Sequence, residues 1–416
     1  MVDRSRTNFI LENIEKRVAE YVGTKHAVVC SSARNAIRFS LLALGIGHED
    51  RVVVPDYACE ILPITVFCTG AQPRFCDVDR NTCAMTSTSL KKALGQARAN
   101  TKATILIHPL GFPADAFAIM ELAEKTGISL IEDAAQSLGA SIFHRQTGSF
   151  GHIGVFSFGK FLNCNLGGAA VTNDQNLADK IRLLKTQEER KALLPSPAYR
   201  LIEIFKMSSR ENMKKLFWAD NILMRQLRGK IPKQHVRIVD WWAAIDSTTL
   251  KLWRANALTS TAIDQLMAYD GTWHHRRKME YSELFLLNSE FHNLEIMLQD
   301  RRRIAKEYDE LLKENGFHKA PVLTDSEPSY LRYPIFVHDK RKLKRVQEAL
   351  KSMGYDTECY RYKPLHESRV FGRFKEPARF PNAKYVSQHI LPLPIVPAMS
   401  HEIIAKISSI VNLKSN

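Results

Sequence analysis

The 416-residue chain has no CxxC pair, no internal repeat and no low-complexity tract. Its seven cysteines are scattered and odd in number, so neither a zinc site nor a disulfide framework is signalled. No run of about 18 or more apolar residues occurs, which excludes a membrane-spanning helix. The N-terminal stretch MVDRSRTNFILENIEKRVAEYVG is charged and helix-patterned and lacks the apolar centre of a secretory leader. A reducing, cytoplasmic setting is therefore expected. RRM, KH and zinc-finger signatures are also missing, so nucleic acid is not an expected partner. Acidic residues are in deficit: 59 Lys and Arg face 44 Asp and Glu, a formal net charge of +15. That surplus favours anionic partners such as nucleotides and phosphates.

Hydrophobic residues make up 45% and charged residues 25%, the balance of a folded chain that is too long for one ordinary core. The first 175 residues alternate short apolar runs with helical stretches. Strands are predicted at His26–Cys30, Arg51–Pro55, Pro73–Val78, Ala103–His108, Ser129–Ile131, Val155–Phe158 and Ala169–Thr172. Helices are predicted at Asn35–Leu44, from Cys59, at Ser87–Ala99 and at Ala116–Thr126. Such βαβα alternation, with strands that are apolar throughout, predicts a mainly parallel sheet covered by helices. Ligands of these sheets bind at the carboxyl ends of the strands. Residues 185–278 differ in texture, being basic and holding Trp218, Trp241, Trp242, Trp253 and Trp273. The expected division is a large domain over 1–184, a basic extension over 185–278 and a smaller α+β domain over 279–416. In the last, YLRYPIFVH and Tyr355–Cys359 read as strands and Arg341–Met353 as a helix.

Four segments carry candidate chemistry. Ser31-Ser32-Ala33-Arg34-Asn35-Ala36 is a small-residue turn between strand and helix, where helix N-terminal amides favour phosphate. Read alone, it is more simply an ordinary turn with an N-cap serine. Ile131-Glu132-Asp133-Ala134-Ala135-Gln136-Ser137 ends an apolar strand in carboxylates. A buried Asp there needs a positive partner or a proton, unless it caps the next helix. Phe156-Ser157-Phe158-Gly159-Lys160-Phe161-Leu162-Asn163 sets a lysine among aromatic residues, ahead of Gly167-Gly168. Partial burial makes such an amine a better nucleophile toward carbonyls, whereas a lysine lying along apolar surface with its head in water does nothing. His108 opens HPLGFPAD at another strand exit, where a lone histidine is most simply a structural hydrogen-bonder.

Together, in this order, the segments resemble the DegT/DnrJ/StrS-type aminotransferases, and ALGIGHEDRVVVP, GAQPRFCDVD, HPLGFPAD, IEDAAQSLGA, GGAAVTND, GYDTECYRYKPLH and LPLPIVPAMS carry the likeness through the chain. The resemblance implies a fold-type-I transferase, a large α/β domain plus a smaller α+β one, with pyridoxal 5'-phosphate as cofactor. It implies a homodimer that aminates a keto sugar, most often nucleotide-linked, with glutamate as donor, in amino-sugar biosynthesis. Carried over residue by residue, Asp133 faces the pyridine nitrogen, Gln136 the ring's phenolic oxygen, and Lys160 forms the Schiff base and shuttles the proton. Ser157 and the backbone of Ala33 and Arg34 hold the phosphate.

The chain also departs from the family pattern. Lys160 follows Ser157 by three residues where five is usual, and Leu162 occupies the usual lysine position. Arg34 replaces a small hydroxyl residue. Cys59 stands where an aromatic ring commonly stacks on the cofactor, and Tyr57 is the expected substitute. The partner-subunit asparagine expected near 278–282 is missing, and Lys278 lies close to that slot. Two other readings compete: a dehydratase or lyase using the same cofactor without a lysine, and a basic binding module on the same fold. An amphipathic basic stretch with Met213, Leu216, Phe217, Leu223, Met224 and Leu227 on one face fits internal packing first and peripheral membrane contact second.

Overall fold

In this computed structural model, residues 4–95, 100–162, 164, 167–191, 278–313, 316–358, 360–368, 371 and 380–413 are described. The chain divides into two compact units, Met1–Gln187 with Lys278–Asn416 and Glu188–Arg277. The basic stretch around Met213–Leu227 and all five tryptophans lie outside the described residues.

The predicted alternation builds one sheet in the first unit. Its strands are β1 (His26–Cys30), β2 (Arg51–Pro55), β3 (Gln72–Cys76), β4 (Thr101–Ile107) and β5 (Ser129–Asp133), followed after a short hairpin, β6 (Ser141–Ile142) and β7 (Arg145–Gln146), by β8 (Ile153–Ser157) and β9 (Gly168–Thr172). The order across the sheet is β1-β9-β8-β5-β4-β2-β3. The neighbours β3, β2, β4, β5 and β8 are parallel, and β9 alone runs against both of its neighbours. In β1 and β2 every residue after the first is buried, as a sheet covered on both faces requires.

The helices before, between and after these strands are α1 (Arg4–Val22), α2 (Ala33–Ala43), α3 (Ile61–Phe67), α4 (Ser87–Gly95), α5 (Ala116–Thr126) and α6 (Gln175–Lys191). Helix α5 shows how local chemistry sets the boundaries. Asp115 accepts the Ala118 N–H at 3.1 Å, and Gly127 ends the helix in the left-handed region at φ 67°.

After residue 277 the chain forms α7 (Tyr281–His292), α8 (Leu294–Leu311), β10 (Phe317–Lys319), β11 (Ser326–Glu327), β12 (Arg332–Val337), α9 (Lys340–Ser352), α10 (Pro381–His389), β13 (Ile390–Pro394) and α11 (His401–Asn412). Leu284, Leu287 and Phe291 of α7 pack in one apolar cluster with Ile14 and Val18 of α1 and Val29 of β1. A second cluster, with Ile304, Tyr308, Val346 and Ile407, covers a small antiparallel sheet ordered β10-β12-β13.

Of the strand expected at Tyr355–Cys359, the described residues 355–358 form none, and Cys359 lies outside the described residues. Residues 355–358 are irregular, because the Tyr355 N–H closes back on Leu350 and Asp356 accepts the Glu358 N–H at 2.8 Å, turning the chain. The third strand is Ile390–Pro394 instead, and its Pro392 faces Pro334 of β12. No helix among the described residues is long and apolar enough to cross a membrane.

Candidate active site

Because β2, β4, β5 and β8 are parallel, their carboxyl ends share one edge of the sheet. The candidate residues fall along it: Tyr57 after β2, His108 after β4, Asp133 and Gln136 at and after β5, Ser157 and Lys160 at and after β8. This is the edge at which ligands of such sheets collect.

At one end of the site the turn into α2 meets the paired glycines. Ser32 caps α2, its Oγ accepting the Asn35 N–H at 3.2 Å, and Asn35 Nδ2 donates to Ser31 Oγ at 3.1 Å. Ser157 sits opposite Gly168 across β8 and β9. A Cβ on Gly168 would lie 2.5 Å from the Ala33 nitrogen and 2.5 Å from the Phe156 oxygen. Only glycine lets β9 approach the first turn of α2 this closely, so Ser157, Gly168, Ala33 and Arg34 converge. The first amides of an α-helix have no carbonyl partner within it, and the helix dipole favours an anion at that end. Burial lowers the pKa of Arg34, while the neighbouring thiols of Cys59 and Cys68 act against that shift, which places the guanidinium beside α3 and the loop before it.

At the other end Asp133 is half-buried and its Oδ1 accepts the Ala135 N–H at 3.0 Å. Burial pushes its pKa above the usual carboxylate value, and the Lys160 charge, with the Ala135 N–H, pulls it back. Lys160 thus lies close enough to act on Asp133. It closes a single 3-10 turn, Phe158–Lys160, between the buried rings of Phe158 and Phe161, and is itself half-buried. Leu162, at the more usual lysine position, is packed into the apolar cluster with Phe158, Phe161 and Met279. Asn163, Asn165 and Leu166 lie outside the described residues.

Gln136 is buried, and its Oε1 accepts the Leu110 N–H at 3.0 Å. Its Nε2 lies 3.4 Å from the Tyr362 hydroxyl. Tyr57 is buried too, with its hydroxyl on the Tyr360 carbonyl at 3.1 Å and its ring 5.6 Å from that of Tyr362. Cys59, two residues on, is exposed, and Lys278 is exposed ahead of α7.

His108 is structural, as the simpler reading had it. Its Nδ1 accepts the Ala114 N–H at 2.9 Å, so Nε2 carries the proton and donates to Glu132 Oε1 at 2.8 Å. The same buried carboxylate accepts the N–H groups of Gly148, Phe150 and Gly151. Four donors satisfy it, as full burial demands, and so fix the loop between β5 and β8.

One pair escaped the sequence reading. Asp56, fully buried after β2, bonds His366 through Oδ2 and the ring Nδ1 at 2.7 Å. The PLH stretch and VPDYACE were both visible in the sequence, but nothing in either names the other as its partner.

The comparisons fit this arrangement. The model of the DegT/DnrJ/EryC1/StrS aminotransferase family matches residues 8–199 and 256–412. The chain belongs to this family. One relative is a UDP-N-acetyl-3-dehydro-alpha-D-glucosamine 3-aminotransferase of Acidithiobacillus ferrooxidans, 42% identical over 187 residues, which is 43% of this chain and 49% of that protein. Another is a dTDP-3-amino-3,4,6-trideoxy-alpha-D-glucose transaminase of Streptomyces venezuelae, 36% identical over 183 residues, covering 43% of this chain and 48% of that one. The chain thus spans about half the length of the curated relatives it matches. S. venezuelae DesV, solved with a ketimine intermediate, superposes with a TM-score of 0.70 at 23% identity, covering 97% of this chain and 88% of that one. A DegT DnrJ EryC1 StrS aminotransferase from Brucella abortus gives 0.69 at 23% identity, covering 98% and 94%. The family member described here therefore has the fold of these proteins, an α/β architecture with a mostly parallel sheet.

Proposed function

We propose that this family member is a pyridoxal-phosphate-dependent aminotransferase that moves an amino group from glutamate to a keto sugar carried on a nucleotide. The observation that supports it most is that Asp133, Gln136, Ser157 and Lys160 stand at the carboxyl ends of the neighbouring parallel strands β5 and β8, with the Lys160 charge acting on Asp133. The relatives' names, with their UDP-, GDP- and dTDP-linked sugars, favour a nucleotide-linked acceptor in amino-sugar biosynthesis. The formal charge of +15 suits a diphosphate.

The residues present fit the cofactor. Gly168, which leaves no space for a Cβ, brings β9 and Ser157 up against the N-terminus of α2, the kind of helix end that favours a phosphate. Asp133 is a carboxylate whose burial is uncompensated enough to raise its pKa, and a cationic N–H would relieve that cost. When bound, pyridoxal phosphate supplies an electron sink for negative charge at the substrate carbon. Asp133 would keep the proton on the ring nitrogen in place. Lys160 would hold the cofactor covalently, and its Nζ would serve as the proton carrier at the substrate carbon. Gln136 would donate through Nε2 to the ring's phenolic oxygen. The Ser157 hydroxyl and the amides of Ala33 and Arg34 hold the phosphate, and Tyr57 supports the ring wall through Tyr362. The lyase alternative requires loss of the lysine, and the position of Lys160 argues against it. We place this chemistry in a cytoplasmic homodimer.

The test is incubation of the purified, cofactor-loaded protein with glutamate and a panel of UDP-, GDP- and dTDP-linked keto sugars. Mass spectrometry should find one aminated sugar and an equal amount of 2-oxoglutarate. Absence of any aminated product, together with no conversion of glutamate alone, would remove the reading.

A further inference from the structure

Asp56 and His366 take no part in the chemistry just assigned, yet they join the loop after β2 to segment 360–368. The carboxylate is fully buried. It grips the segment twice: Oδ2 meets His366 Nδ1 at 2.7 Å, and Oδ1 accepts the His366 backbone N–H at 2.9 Å. The Asp56 carbonyl accepts the Leu365 N–H, also at 2.9 Å, and the Asp56 N–H is itself anchored on the Cys76 carbonyl at 2.8 Å. Three bonds from one residue fix both the position and the rotation of the segment. Nearby contacts then follow from that register. Tyr360 offers its carbonyl to the Tyr57 hydroxyl, Tyr362 puts its own hydroxyl beside Gln136 Nε2, and Ser368 hydrogen-bonds Glu60.

A buried carboxylate is a costly way to hold a segment if apolar packing would serve. Directional bonding is what the carboxylate adds. A slip of the segment by one residue would carry the Tyr362 hydroxyl away from Gln136 and expose the stranded charge of Asp56.

We propose that Asp56 and His366 are positioning residues that lock segment 360–368 in the register placing Tyr362 against Gln136. The consequence for cofactor binding rests on the function proposed above; the lock itself does not.

Hydrogen exchange on the full chain, followed by mass spectrometry, reads the lock directly. Asp56→Ala and His366→Ala should each speed exchange over 360–368 about tenfold while leaving β12 and β13 unchanged. The double variant should add less than about twofold, because either loss already breaks the pair. Asp56→Asn, which keeps one acceptor oxygen for the His366 N–H and puts an amide donor where the second oxygen faced Nδ1, should restore most of the protection. Titration with pyridoxal phosphate, followed by absorbance, should show an affinity about tenfold weaker in both alanine variants and near normal in Asp56→Asn. If the wild-type chain binds no pyridoxal phosphate, the cofactor reading fails while the exchange data still decide the lock. Unchanged exchange over 360–368 in His366→Ala, additive effects in the double variant, or equal acceleration in β12 and β13 would overturn it. His366 is 24% exposed, so its alanine variant decides the matter should Asp56→Ala not fold.

Discussion

The proposed role of Lys160 rests on its neighbours more than on its spacing. Leu162 is sealed into the apolar cluster, whereas Lys160 is half-buried and its charge acts on Asp133. Lys160→Ala should therefore abolish covalent attachment: borohydride reduction and peptide mapping would find no labelled peptide, and turnover should fall by at least about a thousandfold. Non-covalent binding through Ser157, Asp133 and the α2 turn should persist, seen as a cofactor lost on gel filtration. A label on Lys185 or another lysine in the wild type would reassign the residue. That Asp133, Gln136, Ser157 and Lys160 fall along one sheet edge was legible because each stands at or just past the end of a strand. Glu132 was half-legible: a carboxylate at a strand end was visible, but its four donors come from His108 and a loop about 16 to 19 residues onward. The Asp56–His366 pair was not legible, since its partners lie 310 residues apart and pair only through the fold.

At the scale of elements, the phosphate end of the site depends on how closely β9 approaches α2. Gly168→Ala puts a Cβ against backbone on two sides, the Ala33 nitrogen and the Phe156 oxygen, and backbone yields poorly. The expected cost is about 2–4 kcal/mol in urea unfolding, with loss of cofactor binding. Gly95, with open space where a Cβ would stand, is the control: Gly95→Ala should be neutral or stabilising by up to about 1 kcal/mol. Equal stability of Gly168→Ala and wild type would mean the strand and helix are not held together by that glycine. The same locality explains which elements the sequence revealed. Helix α5 was predicted to the residue because Asp115 and Gly127 cap it from within the segment. Tyr355–Cys359 was misread because its β-forming residues outweighed Asp356, whose side chain turns the chain instead. Ile390–Pro394 was missed as a strand because its two prolines speak against a ladder, and only pairing at the sheet edge with β12 accommodates them.

For the molecule as a whole, the lock over the site has a measurable effect on stability. Burial pushes the Asp56 carboxyl up to about 6 from its ordinary 3.8; His366 opposes that rise and Asp77 adds to it. Between those two values the folded chain holds a proton at Asp56 that the unfolded chain has released. Stability from this group therefore rises as pH falls from about 6 toward about 4, and is lost as pH rises through the folded value. That direction is opposite to the usual one for a salt-bridged aspartate, because burial outweighs the imidazole. Asp56→Asn removes the titration while keeping the shape. Relative to that variant, the wild type should lose on the order of 3 kcal/mol between about pH 4 and pH 7 in urea unfolding. Taking the difference between the two proteins cancels the groups that do not touch Asp56. Parallel pH profiles would mean that Asp56 is ionised as readily in the folded chain as in the unfolded one. A profile sloping the other way would make the imidazole, and not burial, the dominant influence on the carboxyl.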